Sequence, residues 1–252
     1  MRAPAGGFHG DYASWEAAAA RATGYDDAAI VRRVLEATLA VRRGDAAFER
    51  DSVLFDRSAP RYAVLAELLA SAAAHQGELR VLDFGGALGS LYFQHRSYFS
   101  ALRRVEWNVV EQESFVAAGR EHLEQDGLRF FTSIEDSLAH ATPAIVMASC
   151  VLQYLPQPRE MLLRLAAAAP RMVLDRLPLI DAPADRLTLQ TVPASIYPAS
   201  YPAWFLARRA LADLLEANGY VVESEFESID VMELDGRTFP SAGWIIGRGA
   251  NA

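Results

Sequence analysis

The sequence predicts an α/β fold, in which a mostly parallel sheet of seven strands has helices on both faces, an antiparallel C-terminal hairpin and an N-terminal helical cap. Three observations predict it. Short apolar runs alternate with helical segments over residues 80–175, a glycine-rich turn follows the first run, and two strands separated by a turn close the chain. We expect a cap over residues 1–60 and the α/β domain over 61–252.

Residues 11–79 have a helical, alanine-rich and amphipathic pattern, with Gly44 at a typical helix end. Beyond them the pattern changes to short apolar runs separated by helical segments. Because strands that alternate with helices pair in parallel, the runs predict the body of the sheet. The predicted strands are 80–84, 105–111, 128–131, 144–150 and 171–175.

The C-terminal third departs from this alternation. Residues 178–203 contain five prolines and no helical period, so we expect a long loop there. A helix is predicted over 204–218, and a strand from Tyr220, a turn near Asp235 and Gly236, and a last strand over 243–248 follow it.

Composition excludes several kinds of protein. All 24 basic residues are arginine, which excludes a Walker-type phosphate lysine, a Schiff-base lysine and a pyridoxal enzyme. The formal charge is −8 and the arginines are scattered, which argues against binding to nucleic acid or an anionic membrane. We therefore expect a small-molecule partner.

The remaining composition concerns metals and location. Cys150 is the one cysteine, so no internal disulfide forms, and the five histidines lack the spacing of a zinc site. We expect no metal. The N-terminus lacks the apolar core of a signal peptide, and no apolar run has the length of a membrane span, so we expect a cytoplasmic protein.

The most informative segment is the glycine-rich turn at residues 85–89, which follows an apolar strand containing Asp83. Glycine allows positive φ and close approach to a ligand, which favours an adenosine-containing ligand here. The dinucleotide pattern G-x-G-x-x-G would require glycine at 85, 87 and 90, but Ala87 and Ser90 occupy two of these positions.

An acid at the end of the second strand supports a ribose site. Glu111 lies 22 residues after Gly89. The ends of neighbouring parallel strands lie side by side, so this carboxylate can accept hydrogen bonds from both ribose hydroxyls. The alternative is a carboxylate that caps the following helix at Ser114.

These features resemble the class I S-adenosylmethionine-dependent methyltransferases. Asp83, Gly85 and Gly89 match the motif D/E-x-G-x-G-x-G, with Ala87 at the middle glycine, and SCVLQYLPQP (149–158) is similar to the segment after the fourth strand of these enzymes. More narrowly, FERDSVLFD, SCVLQYL and RLTLQTVPASIYPASYPAWF resemble a family of methyltransferases of undefined substrate, many encoded near surface-polysaccharide or natural-product genes.

The resemblance implies a Rossmann-like sheet and S-adenosylmethionine as cofactor. It implies that three glycines of the turn lie against the methionine part of the cofactor and that Glu111 holds the ribose. It also implies that three residues border the adenine. Two further residues would end the fourth strand beside the methionine amine or the substrate. With the motif acid Asp83, these residues are Gly85, Gly86 and Gly89, then Gln112, Ser133 and Ile134, then Ser149 and Cys150.

Catalysis of methyl transfer depends mainly on alignment of the acceptor. Gln153 and Tyr154 follow the fourth strand, where some relatives have a histidine base. Gln153 could orient an acceptor, and Tyr154 either forms a hydrogen bond or packs under the next helix. Arg176 and Arg186 suit an acceptor carboxylate or phosphate; the alternative is a surface pair with the aspartate that precedes each arginine.

Aromatic residues could form an acceptor pocket. Tyr197, Tyr201 and Trp204 could wall it, and Tyr12 and Trp15 could form an opposing lid, although such residues are also typical of a core.

We expect O- or N-methylation of a small molecule, such as a biosynthetic intermediate, an amino-acid derivative or a sugar. One alternative is a methyltransferase-like binding or accessory protein without turnover, and another is a nicotinamide-dependent oxidoreductase. The cluster at residues 50–52 either reaches the cofactor carboxylate or caps a helix. The acceptor, its base and the oligomeric state, a homodimer included, stay open.

Overall fold

Helices and strands follow one another along most of the chain in the computed structural model, which describes residues 7–24, 27–125, 127–192 and 199–249. The helices are α1 (Trp15–Ala19), α2 (Asp27–Arg43), α3 (Tyr62–Ala74), α4 (Ser90–His95), α5 (Glu113–His122), α6 (Ile134–His140), α7 (Pro158–Ala168) and α8 (Arg208–Ala217). The strands are β1 (Gly7–His9), β2 (Phe48–Arg50), β3 (Val53–Phe55), β4 (Glu78–Phe84), β5 (Arg104–Val110), β6 (Leu128–Phe131), β7 (Ile145–Ser149), β8 (Arg171–Leu177), β9 (Leu179–Ile180), β10 (Arg186–Thr191), β11 (Ser200–Ala207), β12 (Tyr220–Leu234) and β13 (Arg237–Arg248).

Seven strands form the main sheet, in the order β12-β13-β8-β7-β4-β5-β6. Strands β7, β4, β5 and β6 pair in parallel, and the last two strands of the chain form an antiparallel pair. Helices flank the sheet. This order confirms the predicted fold class, because the crossovers between parallel strands are made by the helical segments of the sequence.

Contacts between residues divide the described chain into two units. The internal unit comprises Asp27–Ser149 and Leu165–Val173, and the terminal unit comprises the described residues of Met1–Asp26, Cys150–Arg164 and Leu174–Ala252. The predicted division at residue 60 stays a prediction, and these contacts group the chain differently.

In the internal unit, apolar residues of the parallel strands form the core. Leu82 of β4, Trp107 of β5, Phe130 of β6 and Met147 of β7 are each at most 1% exposed. Helix α2 ends at Arg43, as predicted, and Gly44 adopts a φ of +88°. Strands buried on both faces read as continuous apolar runs, which is why the sequence located them closely.

The terminal unit contains a second sheet, which the sequence did not predict. Its order is β1-β10-β11-β9, and β10 pairs with β11 in antiparallel register. Strand β12 is the edge of the main sheet and has two register irregularities, between Val222 and Ser224 and between Glu227 and Val231.

Three sequence predictions are wrong. The expected loop over 178–203 contains strands. The helix expected from Trp204 begins only at Arg208, because residues 200–205 pair with β10, residues 206 and 207 pair with β9, and the amide of Ala207 donates to Asp185 Oδ1 at 2.7 Å. The segment 11–79 is not entirely helical either. The short strands β2 and β3 form a hairpin, and the rings of Phe48 and Phe55 stack across it at 4.5 Å.

Gly119 gives a test of packing in the internal unit. Replacement of a helical glycine by alanine normally stabilises a helix by about 1 kcal/mol. A Cβ at Gly119 would lie 2.6 Å from the ring of Phe130. We therefore expect Gly119→Ala to lower the free energy of unfolding by about 1–3 kcal/mol in urea denaturation.

The control is Ala117→Gly at an exposed position of the same helix, which reports the propensity difference alone. A Gly119→Ala variant that gains the stability that Ala117→Gly loses would contradict the packing argument.

Candidate functional site

The glycine-rich turn between β4 and α4 has an unusual backbone. Gly85, Ala87 and Gly89 adopt φ values of +70°, +50° and +84°. The amide of Gly85 donates to Val110 O at 2.9 Å, which ties the start of the turn to the end of β5. Ala87 is left-handed although it has a Cβ, so it takes the conformation that a glycine would take at the middle position of the motif.

Asp83 lies under this turn. Its side chain is inaccessible to solvent, and Trp107 Nε1 donates to Oδ2 at 2.9 Å. Burial raises the pKa of Asp83 to about 7; the bond from Trp107 opposes the rise and the charge of Glu111 adds to it. The other oxygen, Oδ1, is buried without a hydrogen-bond partner among the described residues.

Gly86 is required by the same carboxylate. A Cβ at Gly86 would lie 2.4 Å from Asp83 Oδ2, so a side chain here would displace either the carboxylate or the turn. Asp83 therefore supports the main chain of the turn from within the core.

Glu111 follows the end of β5 and reaches across to the turn. The amide of Gln112 donates to Oε2 at 2.7 Å, and the amide of Ala87 also hydrogen-bonds to the carboxylate. Burial raises the pKa of Glu111, and these two amides lower it in part. The carboxylate thus lies at the start of α5, as in the capping alternative, but it binds the amide of the N-cap residue Gln112 rather than that of Ser114.

Other predicted cofactor residues lie at the same edge of the parallel sheet. Phe84 is opposite Ala148 in the pairing of β4 with β7, so Ser149 is level with Gly85. Ser133 caps α6, accepting from the amide of Asp136 at 3.1 Å, and Ile134 is 4% exposed. Gln112 precedes α5 and is exposed.

In the terminal unit, Gln153 is 2% exposed and lies beside Cys150. Its Nε2 donates to Cys150 Sγ at 3.2 Å and to Arg176 O at 3.3 Å, whereas its buried Oε1 has no partner among the described residues. Cys150 has a φ of +56°, and its amide donates to Asp175 O at 2.9 Å. The side-chain amide of Gln153 is therefore held in one orientation.

Tyr154 contacts a cross-strand pair of the second sheet. Its hydroxyl donates to Gln190 Oε1 at 2.8 Å, and its ring meets Tyr201 edge to face at 5.2 Å; Gln190 and Tyr201 are opposite each other in β10 and β11. Burial raises the pKa of Tyr154 well above 10, so the phenol is protonated at neutral pH. Tyr154 can donate a hydrogen bond but cannot serve as a base there.

Arg176 and Arg186 both bind carboxylates from distant elements. Arg176, with a φ of +59°, lies with its Nε 2.5 Å from Asp230 Oδ2. Arg186 pairs with Asp235, and its Nη2 donates to Gly10 O at 3.1 Å.

The surface pairs with the preceding aspartates, the alternative for both arginines, are wrong. Asp175 is buried and accepts a hydrogen bond from Ser228 Oγ at 2.7 Å. Asp185 accepts two hydrogen bonds from Arg159, each 2.8 Å long. Both arginines are thus paired through tertiary contacts that adjacency in sequence does not indicate.

The predicted acceptor aromatics fall into separate contacts. Trp15 stacks on Trp204 with ring centroids 6.5 Å apart, and Trp204 Nε1 donates to Leu155 O at 3.1 Å. Tyr12 is half-buried, and its amide donates to Leu187 O at 2.9 Å. Tyr197 lies outside the described residues.

Several residues of these contacts were missed by the sequence. Trp107 could have been noticed as an indole inside an apolar strand that precedes Glu111. Gln190 and Asp230 carry no such signal, because their partners depend on strand register.

The described ranges contain no group of three or more histidine, cysteine, aspartate and glutamate side chains arranged to hold a metal ion. Of the helices in these ranges, none combines the length and the apolar character that a membrane span needs.

No family model matches the sequence, and no curated protein matches it. Among solved structures, the chain is similar to the CcbJ methyltransferase from Streptomyces caelestis, with 13% identity, a TM-score of 0.50, and coverage of 76% of this chain and 91% of that one. Magnesium protoporphyrin IX methyltransferase (ChlM) from Synechocystis PCC 6803, with bound SAM, matches at 16% identity and a TM-score of 0.47, over 90% of this chain and 99% of that one. The mitomycin 7-O-methyltransferase MmcR matches at 16% identity and a TM-score of 0.45, over 86% and 68%. The likeness to CcbJ, at this identity, confirms the predicted α/β fold.

Asp83 gives a test that depends on pH. The folded protein keeps the proton of Asp83 up to about pH 7, whereas an unperturbed aspartate loses it near 3.8. The contribution of this group to stability is therefore complete below about pH 4 and is lost as the pH rises through 7, by up to about 1.4 kcal/mol per pH unit. Asparagine stays neutral, so we expect Asp83→Asn to gain stability relative to the parent between pH 5 and 8.

Urea unfolding at both pH values measures this change. Asp56→Asn, at an exposed position, shows the effect of removing a carboxylate without burial. A difference between Asp83→Asn and the parent that is the same at pH 5 and pH 8 would refute the assignment.

Proposed function

We propose that this protein transfers the methyl group of S-adenosylmethionine to a small-molecule acceptor. The observation that carries the proposal is the position of the Glu111 carboxylate directly after β5, whose last residue, Val110, accepts a hydrogen bond at 2.9 Å from the amide of Gly85 in the glycine-rich turn. A strand-end acid joined to such a turn is suited to a ribose whose nucleoside lies along the turn.

The residues at this edge of the sheet fit the cofactor. The positive φ values of Gly85 and Gly89 shape the turn against which the methionine part would lie, and Gly86 leaves room for the Asp83 carboxylate beneath that turn. Glu111 would accept hydrogen bonds from the ribose hydroxyls. Bound there, S-adenosylmethionine supplies an electrophilic methyl group that an acceptor nucleophile takes by in-line displacement.

The adenine would lie between the residues that follow β5 and β6. Gln112 is exposed and could contact the ring edge, and Ile134 offers an apolar side chain. The hydroxyl of Ser133 is occupied by the cap of α6, so we expect its main chain to contact the base. Ser149 and Cys150, at the end of β7, would border the methionine amine.

On the acceptor side, we assign orientation to Gln153 and Tyr154. The unpartnered Oε1 of Gln153 can accept a hydrogen bond, and the protonated phenol of Tyr154 would donate one to the acceptor in exchange for its bond to Gln190 Oε1. Arg176 and Arg186 would have to exchange Asp230 and Asp235 for an anionic acceptor. This pairing favours a neutral hydroxyl or amine as the acceptor group, with Tyr12, Trp15, Tyr201 and Trp204 as candidate walls.

Calorimetric titration with S-adenosylmethionine, S-adenosylhomocysteine and NADH tests the cofactor. We expect both sulfur nucleosides to bind and NADH not to bind. Removal of two charge-assisted hydrogen bonds to the ribose should weaken binding, and we expect Glu111→Ala to raise the Kd for both nucleosides by at least about tenfold.

Glu113→Ala, at an exposed position two residues away, is the matched control and should keep the parent affinity. Binding of NADH in place of the sulfur nucleosides would favour the oxidoreductase alternative. A folded protein that binds none of the three would sink the proposal.

The role of Tyr154 is tested by release of S-adenosylhomocysteine in an acceptor screen. For an acceptor that is turned over, Tyr154→Phe should lower kcat/KM by about tenfold through loss of one positioned hydrogen bond. Because the parent phenol stays protonated, the shape of the pH–rate profile between pH 7 and 9 should not change. Loss of an ionisation from that profile in Tyr154→Phe would instead make Tyr154 the base.

A further inference from the structure

The hairpin formed by β2 and β3 in the internal unit contacts the first residue after the glycine-rich turn. Glu49, in the centre of β2, is 4% exposed. Its Oε1 accepts a hydrogen bond from the hydroxyl of Ser90, the first residue of α4. Ser90 directly follows Gly89, so the buried carboxylate contacts the point where the turn becomes a helix.

The second oxygen of Glu49 binds the turn of its own hairpin. Oε2 accepts a hydrogen bond from the amide of Ser52 at 3.2 Å. Asp51 and Ser52 have φ values of +51° and +67°, a left-handed pair that two-residue hairpin turns usually build with glycine. Non-glycine residues are strained in this conformation and persist only where their surroundings fix it.

The hairpin is held together by contacts that do not involve this carboxylate. The stacked rings of Phe48 and Phe55 are nearly parallel, with an interplanar angle of 1°, and the amide of Ala47 donates to Phe55 O at 2.8 Å. Arg50 lies over the ring of Phe55, with its Cζ 5.2 Å from the centroid. The geometry of the hairpin therefore does not depend on the hydrogen bond between Glu49 and Ser90.

A buried carboxylate is a poor choice for stability alone. An apolar residue of similar volume would avoid the desolvation of a charge and would often be equally stable or more so. The carboxylate instead supplies a directional hydrogen bond. This bond favours one rotamer of Ser90 and so restrains the first residue of α4.

We infer that Glu49 is a positioning residue for the cofactor turn, acting through Ser90. The inference rests on the proposed function, since the turn is the surface against which the methionine part would lie. Neither Glu49 nor Ser90 contacts the cofactor in this proposal. The hairpin sets the path of residues 85–90, and cofactor affinity depends on that path.

The test is calorimetric titration of S-adenosylhomocysteine into the full chain and five variants. Ser90→Ala and Glu49→Ala should each raise the Kd by about tenfold. The double variant should be no weaker than Glu49→Ala, because both changes remove the same hydrogen bond. Ser90→Thr keeps the hydroxyl and should retain the parent affinity.

Glu36→Gln, at an exposed position of α2, controls for the change in net charge and should bind as the parent does. Parent affinity in cooperatively melting Ser90→Ala and Glu49→Ala would overturn the inference. If Glu49→Ala fails to fold, Ser90→Ala decides, because it removes a single oxygen. Weakened binding by Ser90→Thr equal to that of Ser90→Ala would also count against it.

A second measurement needs no ligand and separates the two proposals. Amide hydrogen exchange of the peptide spanning residues 85–91 should be faster in Ser90→Ala than in the parent. If the parent binds no sulfur nucleoside, the proposed function fails, and this exchange rate still decides whether the hairpin fixes the turn. Unchanged exchange would overturn the positioning role.

Discussion

The carboxylate of Asp83 beneath the glycine-rich turn is the constraint on which the carboxyl edge of the sheet depends. It sits inside the core, where an unpaired charge is strongly unfavourable, and its one described hydrogen bond comes from Trp107 of β5. Gly86 lies so close to it that no Cβ fits. The hydrogen bond therefore joins β4 to β5, and the same carboxylate packs beneath the main chain of the turn at Gly86.

At this edge of the sheet, the carboxylates of Asp83 and Glu111 have different surroundings and different roles. Asp83 faces the core and supports the main chain, whereas Glu111 stays at the sheet edge and binds amides of the turn and of α5. In the terminal unit, Gln153 and Tyr154 are likewise held by neighbours, Gln153 by Cys150 and Tyr154 by Gln190. Side chains fixed before a ligand arrives lose little entropy on binding, which suits a reaction that depends on alignment.

Sequence reasoning located β4 to β8 closely because buried parallel strands are continuous apolar runs, and it placed Glu111 because spacing after a glycine-rich turn is a local signal. It missed β10 and β11, since prolines and short alternations are ambiguous until a partner strand is known. Sequence reasoning did not predict the pairing of Arg176 with Asp230 for a related reason. Residues 54 positions apart meet only through strand register, which no local pattern records.

Strand β12 has features that oppose aggregation through the exposed edge of the main sheet. As the edge of the main sheet it presents unpaired main-chain groups over part of its 15 residues, a template on which another molecule could add a strand. Exposed Glu227 and Glu233 place negative charge along it, and the two register irregularities bend it. Like charges repel when two such edges approach, so the irregular, acidic edge acts as a barrier to sheet-to-sheet aggregation at high protein concentration.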